Sequence, residues 1–188
     1  MYLLAISPGQ GLDAARWDRV LESGIDGLML REPGLEPRDL LAAARWVRER
    51  APSLDLWVNG RLDVALAAGC GLHAPEACPG VPAGLLPLSR PIHAPEQVAE
   101  RSGAAQLILS PVYAVPGKGP ALGAEGLRRV LDAMPPVAGR VLALGGIGPD
   151  NLGALRHPRL DGAALIRGIW SAPDPAAAVA ALRRAWSA

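Results

Sequence analysis

The chain has 188 residues, half of them hydrophobic, with 19 Lys and Arg against 18 Asp and Glu for a net charge of +1. That balance suits one domain, residues 1–188, with a sizeable core, and the lack of a basic stripe or of stacking aromatics excludes a nucleic-acid partner. No apolar run reaches the ~18 residues of a membrane span, and the opening MYLLAISPGQG has no charged leader or cleavage-like site, so a cytoplasmic protein without a membrane partner is expected.

YLLAI reads as a first strand, followed by a helix in LDAARWDRVLESG, where Leu12, Ala15, Val20 and Leu21 fall near helical spacing and Gly24 ends the run. DGLMLR is a second strand, and EPRDLLAAARWVRER a helix with Leu40, Leu41, Ala44 and Val47 on one face. LDLWVN precedes RLDVALAAG, and CGLHA precedes a short Pro-rich segment. GLLPLSRPI then leads to APEQVAERSG, and AQLILS to a loop and GAEGLRRVLDAM. RVLALGG leads to PDNLGALRH, and DGAALIRG to PDPAAAVAALRRAWSA. Trp17, Trp46 and Trp186 lie on these helices and are expected to pack them inward, whereas Arg128-Arg129 reads as a solvated helix face. Strands alternating with helices imply parallel pairing through crossovers. About eight such units predict an α/β fold, a compact (β/α)8 TIM barrel, whose short chain demands very short helices. A flavodoxin-like sheet is the alternative, and it leaves two strand-like runs unused.

Chemistry in such barrels sits at the carboxyl ends of the strands, which singles out Arg31, Asn59, His73, Ser89 to His93, Ser110, Lys118, Gly145-Gly146 and Ile166 to Gly168. Gly145-Gly146 and the LIRG segment follow consecutive strands, and backbone amides from two such loops can cradle a phosphate, with glycine letting the anion approach. The segment SPVYAVPGKGPALG overhangs the mouth, and its one charge, Lys118, suits an anionic ligand carried under a mobile lid from Tyr113 to Leu122. Arg31 suits an anion or a salt bridge with Glu32; His73 and His93 are candidates for acid–base work, and His157 is expected on the surface. Cys70 and Cys78 read as reduced thiols. Joined with His73 they make only three zinc ligands, so no metal site is expected.

MLREPG, VNGRLDVALAAGCGLHAPEA, SRPIHAPEQ, LSPVYAVPGKGPALGAEGL, LALGGIGPDNLGAL and DGAALIRGIW occur in the order and spacing of the thiamine phosphate synthase family, which includes the TenI-like thiazole tautomerases. The resemblance covers nearly the whole chain from Gly24 onward. It implies a (β/α)8 barrel of thiamine biosynthesis that handles a thiazole phosphate, which synthases couple to a pyrimidine pyrophosphate with Mg²⁺. By position it assigns the thiazole phosphate to Gly145, Gly146, Ile166, Arg167 and Gly168, and further substrate contacts to Arg31, Asn59, Ser110 and Lys118. The chain departs from the synthase pattern at Met29 and Pro33, where the family has glutamine and lysine, and at Pro91 in place of a serine. Gly60 and Cys78 stand where it has metal-binding aspartates, and Pro111 stands where tautomerases have a histidine. The expectation is therefore a thiazole tautomerase-type isomerase with no cofactor, its catalytic group drawn from His73, His93, Lys118 or Cys78. The alternatives are a Mg²⁺-dependent thiamine phosphate synthase, a transferase, and a non-catalytic phosphate-binding or regulatory protein. The partner in each case is a small molecule, thiazole phosphate or thiamine phosphate, and homo-oligomerisation is left open.

Overall fold

The structure, a computed structural model, describes residues 1–78, 80–82 and 84–188. β1 (Tyr2–Ile6), β2 (Gly27–Leu30), β3 (Asp55–Asn59), β4 (Gly71–His73), β5 (Leu88–Ile92), β6 (Gln106–Leu109), β7 (Arg140–Leu144) and β8 (Gly162–Leu165) run in chain order around a closed parallel barrel. β8 pairs back onto β1 through Gly162 and Tyr2. Closure uses every strand-like run and leaves no edge, so the compact TIM barrel holds and the flavodoxin-like alternative does not.

The helices are α1 (Ala14–Leu21), α2 (Pro37–Arg50), α3 (Leu62–Ala68), α4 (Gln97–Arg101), α5 (Gly123–Ala133), α6 (Pro149–Leu152), α7 (Arg167–Trp170) and α8 (Pro175–Ser187). The economy demanded by the chain length falls on α4, α6 and α7, of 5, 4 and 4 residues. It also falls on the β4–β5 connection, which has no helix among the described residues. The first helix begins later than its spacing predicts. Asp13 caps it by accepting from the Arg16 amide at 3.2 Å, leaving Leu12 outside and 37% exposed, and the inward face is Trp17 and Val20. Trp17 then packs edge-on against both Trp46 and Trp170. Among the described residues no helix is long and apolar enough to cross a membrane.

Alternation along each strand separates two apolar layers. Leu4, Ile6, Met29, Trp57, Ile108, Leu142 and Ala164 fill the barrel, while the other faces of the strands pack under the helices. At the amino end, Tyr2 donates to Asp55 at 2.9 Å and lies under the Arg140 guanidinium, 3.6 Å from the ring centroid. A Cβ on Gly27 would press on the Tyr2 hydroxyl, so glycine lets the ring lie in this position. Large side chains plug the barrel interior at this end, and the opposite end is left to the loops.

Candidate active site

A cavity of about 1120 Å³ opens at the carboxyl ends of the strands. Its lining brings together most of the residues singled out from the sequence: Arg31, Asn59, His73, His93, Ser110, Lys118, Gly145, Gly146 and Ile166 to Gly168. Ser89 lies deeper, fully buried beneath His73, and Cys78 is not among the lining residues. Cys70 faces a separate cavity at the amino end with Arg48 and Leu66, so it does not converge with His73 on a metal. Burial pushes its thiol up to about 11, against the opposing pull of Arg48.

Two histidines on the wall have different hydrogen-bond partners. His73 Nδ1 lies 2.9 Å from Ser89 Oγ, which also accepts from Gln106 Nε2 at 3.0 Å. Burial, reinforced by the positive charges of Arg90 and His93, lowers His73 to about 4, so its ring is neutral near pH 7. His93 Nδ1 lies 2.6 Å from the Ser110 carbonyl. A carbonyl only accepts, so Nδ1 carries the hydrogen and Nε2 is the free basic atom of the neutral ring. That Nε2 lies 4.0 Å from Glu76, whose carboxylate is gripped by Arg101 at 2.7 and 2.9 Å. The Arg101 contact also holds Glu76 below the ordinary carboxylate range. His157, only 13% exposed, is paired with Asp132 at 3.0 Å, away from the cavity, and is not the free surface group expected.

Glu76 on the wall, Arg101 that holds it and Gln106 that holds Ser89 are the neighbours of the site that sequence reasoning missed. The signal for Glu76 was its place three residues beyond the β4 strand; Gln106 announced itself as a polar residue opening an apolar strand. The proposed Arg31–Glu32 bridge does not form. Glu32 is buried and accepts from the Gly9 and Gly11 amides at 3.2 and 2.7 Å, fixing the β1–α1 loop, while Arg31 stays exposed.

Gly146 is exposed and Gly145 half-buried, and the amides of Gly146, Arg167 and Gly168 donate to no protein group among the described residues. The glycines have a steric reason beside anion approach. Gly145 and Gly146 have φ of +112° and +63°, and a Cβ on Gly146 would lie 2.7 Å from Tyr113 Cβ. The β6–α5 loop packs directly on them. Its base is fixed by Val112 donating to the Leu144 carbonyl at 2.9 Å, Tyr113 to that of Gly145 at 3.0 Å and Gly123 to that of Val112 at 2.8 Å. Residues 116–121, with Lys118 among them, are exposed.

No protein-family model matches the chain. A thiamine-phosphate synthase of Moorella thermoacetica is 34% identical over 183 residues, 87% of this chain and 83% of the relative. The chain belongs to the thiamine-phosphate synthase family. Another synthase of that name, from Methanoculleus marisnigri, is 36% identical over 175 residues, 85% of this chain and 81% of the relative. Among solved structures, the thiamine phosphate pyrophosphorylase of Pyrococcus furiosus superposes with a TM-score of 0.85 at 24% identity, over 99% of this chain and 95% of that one, which bears on the fold alone.

Membership in the thiamine-phosphate synthase family implies Mg²⁺, and the residues present do not fit it. Mg²⁺ takes oxygen ligands in a strict octahedron. Gly60 offers no side chain, Cys78 offers a soft thiol, and both Glu76 oxygens are engaged by Arg101. Among the described residues no group of three His, Cys, Asp or Glu could hold a metal ion.

Proposed function

We propose that the mouth binds thiazole phosphate and couples it to a pyrimidine diphosphate, releasing pyrophosphate, the reaction that the family resemblance implies and that relatives named thiamine-phosphate synthase support. The relatives are named as synthases, so this reading takes precedence over the aromatisation expected from the sequence. The observation that carries it is one cavity of about 1120 Å³, slightly above the usual size of a small-molecule site, with Arg31, Lys118 and Arg167 all on its wall. The free amides of Gly146, Arg167 and Gly168 are the seat for the thiazole phosphate. Arg31 and Lys118, on the loops after β2 and β6, and Asn59 at the end of β3 would meet the diphosphate together with the Arg167 guanidinium. Breaking the bond to that group concentrates negative charge on the leaving oxygen, and a fixed cation beside it favours departure more than it favours the bound substrate. Met29, Ile108 and Ala164 form an apolar floor on which flat rings can lie.

Aromatisation of a thiazole phosphate tautomer is the second reading. Its support is the pair of imidazoles, His73 and His93, on the wall of one cavity, since proton shifts need a base and an acid and no metal. One experiment separates the two. The purified protein is incubated with thiazole phosphate plus pyrimidine diphosphate, and separately with the non-aromatic thiazole tautomer. Thiamine phosphate and pyrophosphate in the first tube are the expected result. Conversion only in the second tube makes it an isomerase, and binding without conversion in either makes it a binding protein.

A further inference from the structure

The departure from the family's metal ligands has a counterpart in the charges of the mouth. We propose that this chain holds a diphosphate with side-chain cations and no divalent ion, with Arg31, Lys118 and Arg167 supplying the counter-charge. The inference rests on the synthase reading above and deepens it. Arg50, Arg61, Arg101, Arg140 and Arg183 each meet a carboxylate within 3.2 Å, whereas exposed arginines such as Arg19, Arg45 and Arg128 meet none but lie apart on separate helices. Arg31, Lys118 and Arg167 meet none within 4.0 Å among the described residues. They stand on three different loops, after β2, β6 and β8, and line one cavity.

Glu76 is the one carboxylate on the described wall, and Arg101 occupies both its oxygens. The neighbouring Glu32 is turned away, held by the Gly9 and Gly11 amides. Three like charges gathered without counter-ions repel one another, and a multiply charged anion relieves that repulsion on binding. The same field opposes entry of a dication, which would find no oxygen cage to offset the loss of its water. Arg167 adds a further element, because it places a guanidinium on the loop whose amides already face the cavity.

Calorimetric titration with inorganic pyrophosphate tests this, run once in a chelator and once in excess Mg²⁺, with thiazole phosphate titrated in parallel. Single-site binding in the chelator is expected, not strengthened by Mg²⁺, and weakened about tenfold by Arg167→Ala, the loss of one charge-assisted contact. Absence of binding in the chelator overturns the proposal, as does a tenfold gain with Mg²⁺ that Glu76→Gln removes. Wild-type affinity in Arg167→Ala overturns the role of that arginine. Pyrophosphate binding in the chelator without any thiazole phosphate binding would sink the coupling reading and leave this one standing. The reverse pattern sinks this inference alone.

Discussion

A neutral buried imidazole makes His73 a source of pH dependence. An unfolded histidine takes up its proton near pH 6.5, whereas the folded ring does so only near 4. Between those values the unfolded chain binds more protons, so stability falls as pH falls, by up to about 3 kcal/mol, and the contribution is constant above pH 6.5. Urea unfolding of the wild type and of His73→Gln across pH 4 to 7 should show this slope only in the former, and NMR titration should place the ring near 4. Gly146 supplies a second residue-level outcome. Its left-handed backbone and the close Tyr113 Cβ mean that Gly146→Val should cost about 1–3 kcal/mol. An unchanged urea midpoint with lost phosphate binding would return the reason for the glycine to the anion. The pair of glycines was legible in the sequence as a special turn, but its cause was not, because the Tyr113 contact joins segments more than thirty residues apart. His73 and His93 were equally legible as candidates. Their hydrogen-bond partners Ser89, Gln106 and Ser110 come from distant parts of the chain, which no local pattern reveals.

Among the elements, the β6–α5 connection is the one proposed as a lid. Its ends are held by Leu144, Gly145 and Val112, so any closure is confined to the exposed tip around Lys118 and does not extend over the whole loop that glycine content alone suggested. Cleavage by trypsin at Lys118 should slow when thiazole phosphate saturates the protein, and equal rates with and without ligand would leave the loop a static rim. Lys118→Ala should weaken thiazole phosphate or pyrophosphate binding about tenfold to a hundredfold, the range for a charge-assisted contact. The strands were readable because each apolar run is bounded by glycine or proline. The helix starting at Ala14 was misplaced at its beginning because Leu12 has the right spacing but Asp13 has the capping side chain, and the cap decided.

Across the whole molecule, the barrel is polar in its construction. Tyr2, Asp55, Arg140 and Trp57 fill the amino end and its neighbouring layer, which directs ligand chemistry to the other end. Tyr2→Ala should therefore destabilise by about 2–4 kcal/mol through the space it empties, with phosphate binding at the mouth unchanged where the protein remains folded. An equal loss of binding would show that the two ends are coupled. The family and the barrel could be read from the motifs and from eight strand–helix units, while the pairing of Glu76 with Arg101 and the freedom of Arg31 required the folded chain. The central claim is that an anion sits between the loops after β7 and β8. Amide NMR spectra recorded during a titration with thiazole phosphate address it most directly. Large shifts are expected at Gly146, Arg167 and Gly168, with Leu66 and Gly69 at the amino end unmoved; shifts confined to the amino-end cavity, or none at saturating ligand, would rule that seat out.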